Sequence, residues 1–171
     1  RIRELGGEPS FIGYKGGYAK NGFPSALCTS INSEVVHAPA TPGRVLWAGD
    51  IIGLDIGMRY PAKGGLYTDM AVSVGVGKIS PEAEKLINVT KESLARGIAA
   101  ARPGATINDI SRAVQTYVEK EGFAVVRDLI GHGVGKKVHE KPEVPNFVIG
   151  GMIGNFKLKP GLVIAIEPMV N

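Results

Sequence analysis

Scarcity marks this sequence more than abundance does. Its 171 residues include one cysteine, one tryptophan and three histidines, and aromatic side chains make up only 6%. A single cysteine, Cys28, cannot close an internal disulfide, so the core alone must hold the fold, and a reducing cytoplasm is the simplest expected setting. No apolar run approaches the ~20 residues of a membrane-spanning helix. Charge of one sign is not in excess: 20 Lys and Arg stand against 16 Asp and Glu, a net +4, and the two signs are interspersed. Nothing therefore resembles a basic arm or stripe for nucleic acid. The chain opens on "RIRELGGEPS", without an initiating Met or an apolar signal core, and we expect a sequence clipped at its front.

What is present is a 44% hydrophobic chain with 24 glycines, long enough for one domain with a sizeable core. Apolar periodicity predicts strands, then helices, then strands. "ALCTSIN" and "SEVVHA" read as strands joined near Asn32-Ser33. "GDIIGLDIGMRY" and "LYTDMAVSVGVG" read as longer strands around the turn-rich "PAKGG". Ser80 suits a helix N-cap and Pro81 the first helical position, with Ala83, Leu86, Ile87, Thr90, Leu94 and Ile98 along one face. A second helix is predicted from about Thr106 to Glu121, with Ile107, Ile110, Val114, Tyr117 and Val118 inward and Gly122 at its C-terminus. "FAVVRDLI" and "GLVIAIEPMV" read as further strands across a Gly/Pro-rich loop. Two halves, each of strands plus helix, permit internal two-fold symmetry.

Charged residues interrupt these strands. Asp55 falls in mid-strand with Gly53 and Gly57 on its face, and Asp69 lies in the partner strand. A hairpin turn centred near Ala62 would oppose them directly, with Cβ atoms roughly 5 Å apart. Two carboxylates that close repel unless a proton or a cation sits between them, and a divalent cation meets the need. An edge position or a hydrogen bond would also explain either Asp alone. Glu167 repeats the anomaly in "LVIAIEPM". His132, in "GHG", can complete an oxygen-rich site, its glycines leaving room for a sharp turn; a core histidine satisfied by backbone would fit as well. His139 and His37 are compatible with a polar loop and a strand end. Together these groups supply what metal-assisted attack of water on an amide requires.

At this point the residues resemble a family. The stretches "NGFPSALCTSINSEVVHAPA", "GDIIGLDIG", "YTDMAVSVGVG", "GFAVVRDLIGHGVGKKVHEKPEVPN" and "LKPGLVIAIEPMVN" resemble, in order, the type I methionine aminopeptidases of the pita-bread metallopeptidase fold. The "GHGVG" and "HE" pattern is shared with prolidases and aminopeptidases P. The resemblance implies an α+β, pita-bread (creatinase/aminopeptidase-like) fold: a curved antiparallel sheet with covering helices, its C-terminal strands missing, in a single metallopeptidase domain over 1–171 truncated at both ends. It implies a methionyl aminopeptidase removing the initiator methionine from nascent polypeptides by a metal-activated hydroxide. Asp55, Asp69, His132 and Glu167 would bind two divalent ions (cobalt, manganese, iron or zinc), with Asp69 bridging them and Glu167 relaying the proton. His37 and His139 would contact the scissile peptide and its oxyanion, and Phe11, Tyr14, Phe23 and Cys28 would line the methionine pocket, although plain packing also explains those four. Nascent chain N-termini and transient contact with the ribosome are the implied partners of a cytoplasmic monomer, with no specific nucleic acid and no membrane.

The chain departs from that pattern in three places. The stretch 15–20 is inserted beside the pocket, and the turn between Asp55 and Asp69 is about three residues longer than usual. A fifth ligand, a glutamate bridging both ions, would lie beyond Asn171, which leaves the second ion weaker. A catalytically impaired binding module, or a prolidase-like or aminopeptidase P-like hydrolase, is the alternative.

Overall fold

Alternation of apolar with small or charged residues from Ile51 to Tyr60 gives a ten-residue strand, and a second of the same length runs from Leu66 to Gly75. In the computed structural model, which describes residues 1–16 and 20–171, these are β3 (Ile51–Tyr60) and β4 (Leu66–Gly75), paired antiparallel along their whole length. The other edge of β3 is shared by β2 (Cys28–Ile31) and β1 (Glu8–Pro9), both antiparallel. A three-stranded antiparallel sheet is built from β5 (Gly131–Gly133) between β6 (Glu140–Val144) and β7 (Ile164–Ala165). The chain divides into two units, one of Arg1–Ala83 with Gly135–Val138 and one of Glu84–Val134 with His139–Asn171.

Both expected helices form. Helix α1 (Pro81–Ala100) starts where Ser80 Oγ accepts the Ala83 N–H at 3.1 Å. Helix α2 (Ile107–Lys120) starts at a capping box, in which Asp109 accepts the N–H and hydroxyl of Thr106 at 2.7 and 2.8 Å. Those two donors hold the Asp109 carboxyl below the usual range. Ile107, Ile110, Val114 and Val118 of α2 are fully buried. They anchor two apolar clusters of the second unit, one with Val89 and Val125, the other with Val144 and Leu158.

The face of α1 differs from its expected row. Its buried positions are Val89, Ser93 and Gly97, while Ile98 is 56% exposed. Small side chains let the helices approach: a Cβ on Gly97 would lie 3.0 Å from Val114 Cγ2 and 3.5 Å from Ile110 Cγ2. No helix among the described residues is long and apolar enough to cross a membrane.

Three predicted strands are shorter or absent. Residues 33–38 form no strand, because Glu34 turns back to accept the Ile31 N–H at 2.8 Å and Pro39, with no N–H, limits the pairing to one Cys28–Pro39 bridge. Residues 123–130 and the end of 161–170 meet at one Val125–Val170 bridge, and β7 keeps only Ile164–Ala165. In their place β6 forms within the Gly/Pro-rich loop, where Pro142 coincides with a break in register between His132 and Gly133. Both long helices fall in the second unit, apart from the first residues of α1.

Candidate functional site

Of the four expected metal donors, Asp55 and Asp69 belong to the first unit and His132 and Glu167 to the second. In the first, the register opposes Asp55 to Ala71 and Asp69 to Gly57. The carboxylates are therefore diagonal neighbours on one face and not directly opposed, because the turn Pro61–Gly65 centres on Lys63 instead of Ala62. Diagonal positions are about 7–8 Å apart, with the Cβ atoms somewhat closer.

Cys28 pairs with Asp55 across β2 and β3, which places its thiol on the carboxylate face. Burial, the charge of and a hydrogen bond to Asp55, and the charge of Asp69 push the Cys28 thiol from 9.0 up to about 12. Both carboxylates thus bear on one point of this face. In metal-free protein at pH 8 the thiolate population should be about a thousandfold below that of the unfolded chain. Labelling by a thiol-disulfide reagent in chelator should accordingly lag far behind labelling in urea, and equal rates would contradict the burial and the carboxylate neighbours.

The expected pocket residues gather near that face. Phe11 is buried and meets Phe23 edge to face at 6.4 Å, and backbone bonds Gly13 N to Phe23 O (2.8 Å) and Phe23 N to Tyr14 O (2.9 Å) tie the two loops together. A Cβ on Gly57 would lie 2.6 Å from the Phe11 ring, so the ring lies over the glycine that opposes Asp69. The sequence placed Gly57 on the face of Asp55 but gave it no role; its signal was a glycine inside a strand. Tyr14 is 37% exposed, and residues 17–19 of the inserted stretch lie outside the described residues. His37 is exposed and left-handed, at φ 61.

The second unit brings His132, Glu167 and His139 together. His132 lies in β5, 8% exposed, its Nδ1 bonded to the Gly133 carbonyl at 2.9 Å. Since only a protonated Nδ1 can donate there, Nε2 turns its lone pair toward Glu167 Oε1, 3.1 Å away. That oxygen is buried and has no hydrogen-bond partner among the described residues. Two acceptors at this distance need a proton or a cation, and an imidazole fixed through its other nitrogen is the usual arrangement of a metal-binding histidine. The donor set therefore fits a divalent ion. Among the described residues no three His, Cys, Asp or Glu side chains form one metal-holding group.

The His139 ring packs edge to face on His132 at 4.3 Å, in a different role from the buried imidazole. Asn146, passed over in the sequence, donates to the Glu167 carbonyl at 2.7 Å; its signal was an amide in the otherwise apolar "VPNF". The glycines around His132 do not make the expected sharp turn. They lie in strand β5, where a Cβ on Gly131 would clash with the Ala165 carbonyl and one on Gly133 would lie 2.5 Å from the Lys141 carbonyl oxygen.

Known proteins share this arrangement of sequence. Methionine aminopeptidase 1 of Bacillus subtilis is 47% identical over 171 residues, covering 99% of this chain and 64% of that protein. The methionine aminopeptidase of Clostridium perfringens is 49% identical with the same coverages. The crystal structure of methionine aminopeptidase from Thermotoga maritima superposes with a TM-score of 0.88 at 38% identity, over 99% of this chain and 64% of that one. The α+β fold is thus the pita-bread fold of those enzymes, and the chain spans 64% of the length of these relatives. The model of metallopeptidase family M24 matches residues 4–171, and the chain belongs to that family.

Proposed function

We propose that the protein is a divalent-metal-dependent aminopeptidase that removes the initiator methionine from nascent polypeptides in the cytoplasm. The observation that carries this reading is the His132–Glu167 pair, with Nδ1 fixed on Gly133 and a buried carboxylate oxygen 3.1 Å from Nε2. The names of its relatives support the substrate, and they do not favour a silent binding module or a prolidase-like hydrolase.

In this reading Asp55, Asp69, His132 and Glu167 hold the ions, two when both sites fill. Divalent ions held there would supply Lewis-acid chemistry, making water more acidic and the scissile carbonyl more electrophilic. Glu167 takes the proton from the attacking water and returns it to the leaving amine. His139, exposed beside His132, donates to the carbonyl oxygen as its charge develops, and His37 contacts the peptide. Phe11 and Phe23, with Tyr14 and Cys28, offer aromatic edges and a soft thiol to a flexible thioether side chain. The substrate is a free chain N-terminus, reached as it leaves the ribosome, and the protein acts as a monomer.

Elemental analysis and cleavage of a Met-Ala-Ser peptide test the reading. Cleavage should stop in chelator and return with manganese, cobalt, iron or zinc, all of which suit mixed oxygen and nitrogen ligation. A folded protein that binds none of the four would sink the metal assignment.

A further inference from the structure

Asn146 is 1% exposed, and its side-chain amide donates to the Glu167 carbonyl oxygen at 2.7 Å. A buried amide between Pro145 and Phe147 costs free energy unless it is matched, so this contact is part of the fold's design. The segment that carries Asn146 is held by one face of α2. Ser111 Oγ donates to the Pro145 carbonyl at 2.6 Å, and Gln115 Oε1 accepts the Val148 N–H at 2.9 Å. Asn108 donates to the Ile149 carbonyl at 2.8 Å and accepts the Ile149 N–H at 3.0 Å. Asn108, Ser111 and Gln115 recur at helical spacing, so a single polar row grips residues 145–149, which follow the end of β6 and belong to no ladder. Glu167 likewise lies past the end of β7 at Ala165, where no strand among the described residues supplies a donor to its carbonyl. The Asn146 amide stands where that strand donor would be.

We propose that Asn146 is a positioning residue for the metal donor Glu167, working as the last link of a clamp that runs from α2 through residues 145–149. The proposal rests on the reading of Glu167 as a donor. Fixing the Glu167 carbonyl fixes the rotation of its peptide, and with it the direction of the Cα–Cβ bond that aims the carboxylate at His132. Without the amide the Glu167 carbonyl would seek another donor, and the carboxylate would swing with it. Partners that orient a ligand are commonly worth about 10–100-fold in metal affinity.

The test titrates metal-free protein with Mn2+ calorimetrically and records the visible absorption of the Co2+ form, whose bands follow coordination geometry. Asn146→Leu keeps the volume and removes the donor; Asn146→Asp, nearly isosteric and also without the amide, serves if the Leu variant does not fold. A folded variant should bind Mn2+ about 10–100-fold more weakly than wild type and show an altered Co2+ spectrum, which a merely structural role would leave unchanged. Wild-type affinity and spectrum in a folded Asn146 variant would overturn the proposal. Glu167→Gln separates the two failures. If it too binds like wild type, the donor reading falls and takes the proposal with it. If it loses binding while the Asn146 variants keep theirs, only the positioning role is wrong.

Discussion

His132→Ala should strip the protein of bound divalent metal, whereas His139→Ala should keep the metal and lose turnover. The two imidazoles touch, with ring centroids 4.3 Å apart, yet their surroundings differ. His132 is buried, its Nδ1 is fixed by Gly133, and its Nε2 faces a buried carboxylate oxygen. His139 is exposed, where a substrate can reach it. Removing a ligand should cost more than the ~10–100-fold in affinity that an outer partner costs. Removing His139 loses an edge-to-face ring contact worth about 0.5–1.5 kcal/mol, at most about tenfold in affinity if all of it were spent on holding His132. An oxyanion donor acts mainly in the transition state, commonly worth about 10²–10³ in kcat. Bound metal by elemental analysis and cleavage of Met-Ala-Ser at saturating metal, run in parallel, separate the two. Equal loss of metal in both variants would show that their roles are wrongly divided.

The helices were legible because their signals are local. Ser80-Pro81, the helix start near Thr106 and the row Ile107, Ile110, Val114 and Val118 need nothing from the rest of the chain, and each lies where it was expected. Strand edges were not legible in the same way, since an extended stretch becomes a strand only where a partner offers its backbone. "FAVVRDLI" and "GLVIAIEPMV" are as β-prone as β3, but they meet at a single bridge, and within the second the Glu167 carbonyl is held by an asparagine side chain. The row on α1 misled for a related reason: packing selected the small residues Ser93 and Gly97 over the larger apolar ones, because α2 comes close.

The candidate site was legible as a set of violations. Asp55, Asp69 and Glu167 stood out as charges in strands, and His132 as an imidazole among glycines. Finer geometry depended on facts that are not local. A shift of the turn centre from Ala62 to Lys63 moved Asp69 from Asp55 to Gly57, yet both carboxylates kept their face, because a change of turn centre by one residue moves the pairing by two. Gly57 and Asn146 end two of the matching stretches but carry no charge, and the Phe11 ring over one and the Glu167 carbonyl beside the other supply the role that the sequence left unassigned.

The glycines flanking His132 lead to the second large effect, for Gly131→Ala and Gly133→Ala should each damage both the fold and the metal site. Strand β5 is the middle strand of its sheet, and at Gly131 the place of a Cβ is taken by the Ala165 carbonyl of β7. At Gly133 it is taken by the neighbouring strand, with the Lys141 carbonyl oxygen at 2.5 Å and the Glu140 oxygen at 3.1 Å. These obstacles are backbone atoms, which cannot rotate aside as a side chain can, so one strand or the other must move. Overpacking of this kind costs about 1–3 kcal/mol, and in a domain of this size each kcal/mol lowers the thermal midpoint by about 2–4 °C. Pushing β7 away also displaces the chain that leads from Ala165 to Glu167, opening the 3.1 Å approach of its carboxylate to His132. Mn2+ affinity should therefore fall at least about tenfold in Gly131→Ala. Gly150→Ala is the control: Gly150 has φ −77, and a Cβ there would meet nothing within 4 Å. Its midpoint should stay within the shift expected of about 0.5 kcal/mol, and its Mn2+ binding should match wild type. If Gly131→Ala melts and binds Mn2+ as the control does, the strands around His132 are not pressed together as described, and the close approach is not what holds Glu167 in place.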